Sequence, residues 1–333
     1  MSETVSLPFS VPWFAFTQGH AAPGLAMAGH PTAYNGYLNQ CTTLDCNRRF
    51  LTGFTTPQIG IPRAGIYSFN FLDKLGIAWR FTHQYCHSII KQMLDEGFYA
   101  YFGGVDDYYL PGKSWYGIRH MNHDGVICGY DEADKTYSIA AYDINWVFSL
   151  IRVPQDCFME GLKACIEKNQ YGTITAYRMR PNTTVALDER TILRYMKEYV
   201  NGTIDKFSLD QQGRVEGIAV QDFLALYLDK IKEGFIPADK MDWRALRPIW
   251  EHKRCMLDRI KAIEEKHNWD SELSSKYAPL VDDANRVRMM FAMFHKTQKD
   301  ALLDKMKNGI LTFKSKEEEI LKDFIKRMEE EQV

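Results

Sequence analysis

The chain changes its hydrophobic rhythm once, near residue 181, and that change limits the folds open to it. Up to "YRMRP", apolar residues alternate in short runs broken by glycine, proline and aromatic residues. Beyond it the apolar residues recur at helical spacing almost without interruption. "TILRYMKEYVNG" stops on Asn-Gly, a suitable helix end. "VQDFLALYLDKIKEG" carries Phe223, Leu224, Tyr227, Leu228 and Ile231 on one face and closes on Gly234. "LRPIWEHKRCMLDRIKAIEEKH" repeats Ile249, Met256, Ile260 and Ile263 near helical period, and "SKEEEILKDFIKRMEEEQV" reads as an exposed, charge-laced amphipathic helix. The pattern predicts an α+β part over 1–180 and a mainly helical part over 181–333, packed on it as one unit. At 333 residues and 45% apolar composition the chain can fill a substantial core.

Within the first part, "AYNGYLNQCTTLDCNRRFLTG" reads as a loop entering a helix that stops near Gly53. "SIIKQMLDEG" is a helix ended by Gly97, "FYAYFGGV" a strand, and "DDYYLPGKSWYG" an aromatic loop. Then "DGVICGY" and "TYSIAAYD" flank the polar turn "DEADK", which predicts a hairpin. A turn centred on Ala133 sets Ile127 opposite Ile139, Gly125 opposite Ala141 and His123 opposite Asp143. Directly opposed residues have Cβ atoms about 4.5–5.5 Å apart, so the hairpin would hand a carboxylate to an imidazole.

Charge narrows the partners. A net charge of −2 leaves no footprint for nucleic acid or an anionic membrane. No apolar run reaches the roughly 18 residues of a membrane helix, and "MSETVSLPFSVPWFAF" lacks the basic start of a signal peptide. Seven cysteines without framework spacing suit free thiols in a reducing cytoplasm.

A His–Asp pair is useful when the imidazole deprotonates a nucleophile. Cys41 fits a helix start, where the helix dipole and a nearby imidazolium lower a thiol's pKa. Cys46 is the runner-up, since Leu44 to Leu51 reads as already helical. Asn35 and Gln40 each stand six residues before one of these cysteines, a spacing that supplies an oxyanion donor. His120 is a fallback base and Asn145 a fallback orienter. A buried cysteine is most often core, the reading that fits Cys128 in its strand and Cys157, Cys165 and Cys255 on helix faces. "HQYCH" looks ligand-like, but no second cluster completes a zinc site, so no metal is expected.

A cysteine at a helix start followed by "HDGVICGYDEADKTYSIAAYD" resembles the papain-like fold, in which a His–apolar–Gly-Tyr-Asp strand is answered by a strand delivering Asp or Asn. The stretch "MLDEGFYAYFGGVDDYYLPGKSWYGIRHMNHDGVICGYDEADKTY" is similar to papain-like proteins related to the butirosin acyltransferase of nonribosomal peptide clusters. The likeness continues into "GRVEGIAVQDFLALYLDKI" and "RALRPIWEHKRCMLDRIKAIE". That group includes cysteine-protease homologues that act as amide synthases.

The resemblance implies a triad of Cys41, His123 and Asp143 on a papain-like core. The Cys41 thiolate would attack an acyl thioester carried on the phosphopantetheine of an acyl or peptidyl carrier protein. A primary amine or diamine would then take the acyl group while His123 accepts its proton. No cofactor of the chain's own is implied. Tyr108, Tyr109 and Trp115 would line the substrate, with Asp106 and Asp107 drawing a cationic amine and Arg48, Arg49, Arg63 and Lys113 meeting an acidic carrier. A hydrolase using the same triad, or a binding protein that keeps the shape, are the rival readings.

Overall fold

The computed structural model describes residues 4–47, 56–79, 83–168, 172–202, 214–238 and 241–331. In chain order the described strands are β1 (Thr4–Ser6), β2 (Asp45–Asn47), β3 (Ile59–Gly60), β4 (Leu72–Ala78), β5 (Tyr99–Asp106), β6 (Asn122–Asp131), β7 (Thr136–Tyr142), β8 (Phe148–Pro154), β9 (Thr173–Met179) and β10 (Arg214–Glu216). The described helices are α1 (Gln18–Met27), α2 (Tyr34–Gln40), α3 (Cys86–Asp95), α4 (Gln155–Glu167), α5 (Glu189–Asn201), α6 (Val220–Lys232), α7 (Arg247–His267), α8 (Glu272–Thr297) and α9 (Ala301–Glu331). The fold is α+β, with a large antiparallel sheet and a helical C-terminal region. Among the described residues no helix is long and apolar enough to cross a membrane.

The chain divides into two compact units, one of residues 1–34 and 65–185, the other of 35–64 and 186–333. The second unit is therefore not the C-terminal stretch alone.

The first unit is built on a sheet of order β4-β9-β5-β6-β7-β8, with β1 added to β6. Successive side chains of a strand face opposite ways. Ala100, Phe102 and Ile127 thus join Ile90, Leu94, Phe158 and Leu162 of α3 and α4 in one buried cluster. The other face receives α1, where Tyr177 OH donates to the Ala22 carbonyl at 2.8 Å. Helix α3 ends as its sequence predicts: Gly97 takes φ +78° and its N–H reaches Leu94 O.

The hairpin β6–β7 forms with Ile127 opposite Ile139, as the sequence predicts. A bulge at Cys128 offsets the ladder nearer the turn, so Gly129 faces Ser138. The recorded pairs end at Val126–Ala140, and β7 stops at Tyr142.

In the second unit, β10, β2 and β3 make a small antiparallel sheet. Long amphipathic helices bury one stripe each; that of α9 runs through Leu303, Met306, Ile310, Phe313, Leu321 and Phe324. The tail predicted as an exposed helix is therefore half core. A polar network lies inside: Lys253 meets Glu317, Tyr199 OH and Gln221 also reach that carboxylate, and Tyr277 OH donates to its other oxygen. Lys253 and Glu317 are both fully buried.

Candidate active site

The residues that cluster chemically in the first unit stand where β5 ends. Its last residue, Asp106, and the next, Asp107, begin a short 3-10 turn over Asp107–Tyr109. The loop that follows returns to β6, and Asp107 N–H donates to Met121 O at 2.9 Å to close it. Each aspartate holds one histidine of the returning chain. His120 Nδ1 lies 2.8 Å from Asp106 Oδ2, and His123 Nδ1 lies 2.5 Å from Asp107 Oδ2.

The two pairs differ in their surroundings. Asp106 also accepts from the N–H groups of Tyr108 and Met121 and meets Lys168 at 3.4 Å. Burial raises the Asp106 pKa, but the hydrogen bonds from His120 and the two N–H groups outweigh it and hold the carboxyl below its usual range. Asp107 is almost wholly buried, whereas the His123 side chain keeps a third of its surface exposed. That is the geometry of a base oriented from behind: Nδ1 is fixed by the carboxylate and Nε2 is left to take a proton. Behind Asp107 stands the buried Lys113, with Nζ 3.5 Å from Oδ2.

His123 therefore has a carboxylate partner, but it is Asp107 and not Asp143. The chain turns at Asp143, whose carboxylate accepts from Asn145 N–H (2.8 Å), Val147 N–H (3.0 Å) and Ser149 Oγ (3.2 Å). Across the ladder His123 is paired with Val105 of β5. The hairpin's own spacing does not tell which strand lies on the other side of β6. The "DD" of the aromatic loop was the signal available, read there as an amine lure. Both aspartates are instead buried on histidines.

The thiols lie elsewhere. Cys41 follows the last turn of α2, with its N–H on Tyr37 O at 2.9 Å, so it stands at a helix end and not at a start. Asn35 lies in the first turn of that helix and Gln40 closes it. The Cys41 thiol is fully buried and donates to Arg63 O at 3.5 Å. Burial pushes its pKa well up, Cys255 adds to this, and Arg259 and Arg63 offset it only in part. Cys46 sits in strand β2 and not in a helix, buried, and burial likewise raises its thiol. Neither is the exposed, electropositive thiol that a nucleophile requires. Both belong to the second unit, and His123 and Asp107 to the first.

Other expected groups are accounted for locally. Tyr108 stacks on His120 at 4.3 Å, Tyr109 sits edge-on to Tyr108 at 5.2 Å, and Trp115 is edge-on to Trp146 at 6.3 Å. The aromatic loop thus packs largely on itself and on the next turn. Lys113, expected at the surface, is buried. Arg63 bonds Thr43 Oγ1, pairs with Glu198 and lies over Tyr195. Arg48 and Arg49 lie outside the described residues. In "HQYCH", Cys86 is core with its pKa pushed up to about 12 by burial, and His87 bonds Tyr137 OH and Glu132.

No protein-family model matches the chain, and no curated protein matches it.

Proposed function

We propose that the chain is an acyltransferase joining a thioester-bound acyl group to a primary amine, with His123 moving the proton and Asp107 orienting it. One observation carries this: an imidazole that is held at Nδ1 by a buried carboxylate yet stays one-third exposed. The reaction class rests on the resemblance of the β5–β7 region to papain-like acyltransferases. A helix start does lie against β6: a Cβ on Gly19, in the first turn of α1, would stand 3.3 Å from Asp124 Oδ2. That turn reads Thr17-Gln18-Gly19-His20 and holds no cysteine.

Direct aminolysis suits this arrangement better than a covalent acyl-cysteine. The amine nitrogen attacks the thioester carbonyl, and His123 Nε2 accepts the proton it sheds. The C–N bond forms, the C–S bond breaks, and the imidazolium returns the proton to the leaving thiolate. Thioester and amine become amide and thiol, His123 is restored, and no nucleotide is consumed. A carrier-protein phosphopantetheine thioester is the proposed donor. The buried thiols favour one second reading, a binding protein that retains a papain-like shape.

An acyl-pantetheine or acyl-carrier thioester incubated with a diamine separates these readings by product mass. Amide is expected from the wild type, with His123→Ala slower by about 10²–10⁴ and Cys41→Ala unchanged. Free acid alone would mean a hydrolase, and an undiminished rate in His123→Ala would leave only binding. Loss of the reaction in a folded Cys41→Ala would restore the covalent route.

A further inference from the structure

A lysine with 3% of its surface exposed is an unusual neighbour for a working carboxylate. Lys113 Nζ stands 3.5 Å from Asp107 Oδ2 and donates to Gln18 Oε1 at 3.3 Å. Gln18 Nε2 in turn donates to Asp124 Oδ1 at 3.3 Å, and Tyr101 OH donates to Asp124 Oδ2 at 2.7 Å. Six side chains from α1, β5, β6 and the intervening loop thus form one continuous polar chain ending at His123. Gly112, at φ +87° against Ile151, makes the turn that feeds Lys113 inward.

We propose that Lys113 is a positioning residue that shares Asp107 with His123, weakening the carboxylate's hold on the imidazolium so that His123 can give its proton up again. An imidazole backed by a buried, undivided carboxylate would be held as the cation, and an imidazole already protonated cannot take the amine's proton or readily release its own. A second cation on the same oxygen divides that attraction. Burial lowers the Lys113 pKa, and Asp107 and Asp124 offset that only in part. Gln18 sets how far Lys113 leans toward Asp107, which ties the tuning to the first turn of α1.

The charges that bear on His123 come from every neighbouring element. Beta5 contributes Tyr101, β6 contributes Asp124, and the loop contributes Lys113 and the His120–Asp106 pair. Helix α1 contributes Gln18 and His20, the latter held by Thr17 at 2.6 Å. Lys168, just beyond α4, meets Asp106, and the Cys165 thiol of α4 is raised by burial and by the charges of both aspartates.

The inference rests on His123 being the proton carrier, but its test uses no substrate. The imidazole resonances of His123 and His120 are titrated by NMR in the full chain and assigned with His123→Gln and His120→Gln. In Lys113→Met the His123 midpoint should rise by about one unit while His120 stays in place. Lys113→Arg should restore the wild-type midpoint. Gln18→Met removes the competing acceptor, so Lys113 turns wholly to Asp107 and the His123 midpoint should fall. If Lys113→Met does not fold, the Gln18→Met shift decides. A His123 midpoint unmoved in both variants, or moved as far by arginine as by methionine, overturns the proposal. An unmoved titration beside an inactive His123→Ala removes this inference alone. An active His123→Ala removes the acyl-transfer reading and leaves the charge sharing in place.

Discussion

Asp107 and Asp143 show how position within a turn decides what a carboxylate does. Asp143 spends its oxygens on the turn that leads into β8, whereas Asp107 is buried with a histidine and a lysine upon it. Asp107→Asn should therefore lower kcat by about 10²–10⁴, because the amide no longer favours the productive tautomer and cation. Asp143→Ala should leave kcat alone and cost about 0.5–1.5 kcal/mol in denaturant titration through the lost turn hydrogen bonds. Equal effects on kcat would return Asp143 to the site. At this scale His123 was legible from its place before an apolar strand. Its partner was not, because the contact depends on β5 lying beside β6, a neighbour that no local spacing of the hairpin reveals.

Elements were legible where capping and period agreed. Helices α3, α5 and α6 end on Gly97, Gly202 and Gly234, all at positive φ, and each stop is visible in the sequence. Of the helix expected from Cys41 to Gly53, residues 48–53 lie outside the described residues, and 45–47 form the three-residue strand β2. Its strand partner β10 comes far later, with Cys46 opposite Val215, and pattern alone cannot show such a pairing. Helices α7 and α9 meet through the buried Lys253–Glu317 pair, one place where polarity replaces packing in their interface. Lys253→Met should cost about 3–5 kcal/mol because it strands a buried carboxylate. The double change Lys253→Met with Glu317→Leu should recover much of that loss, as read from urea midpoints. Additive losses would mean the two charges act separately.

For the whole molecule, the expected division at residue 181 and the two compact units differ by the segment 35–64 and by a boundary moved to 185. That segment provides the carbonyls of Tyr37 and Leu38, which take the buried Arg259 guanidinium, and that of Thr42, which faces His252 Nε2. A cation at those carbonyls also suits the negative end of α2. A fragment of 186–333 should therefore lack a cooperative unfolding transition, its arginine and β10 left without partners. Adding a 35–64 peptide should restore one. A fragment that unfolds cooperatively alone would show the inserted segment to be dispensable.

The interleaving also sets an order of events on the ribosome. Every residue of the first unit has been synthesised by 185, yet 35–64 must wait for α7 and β10 to emerge. At bacterial or eukaryotic elongation speeds of about 5–20 residues per second, that wait is on the order of ten seconds or more. Cys41 and Cys46, sealed from solvent in the finished protein, are for that interval uncovered thiols on a nascent chain. Oxidants met during translation would reach sulfurs that the same oxidants cannot touch an instant after release.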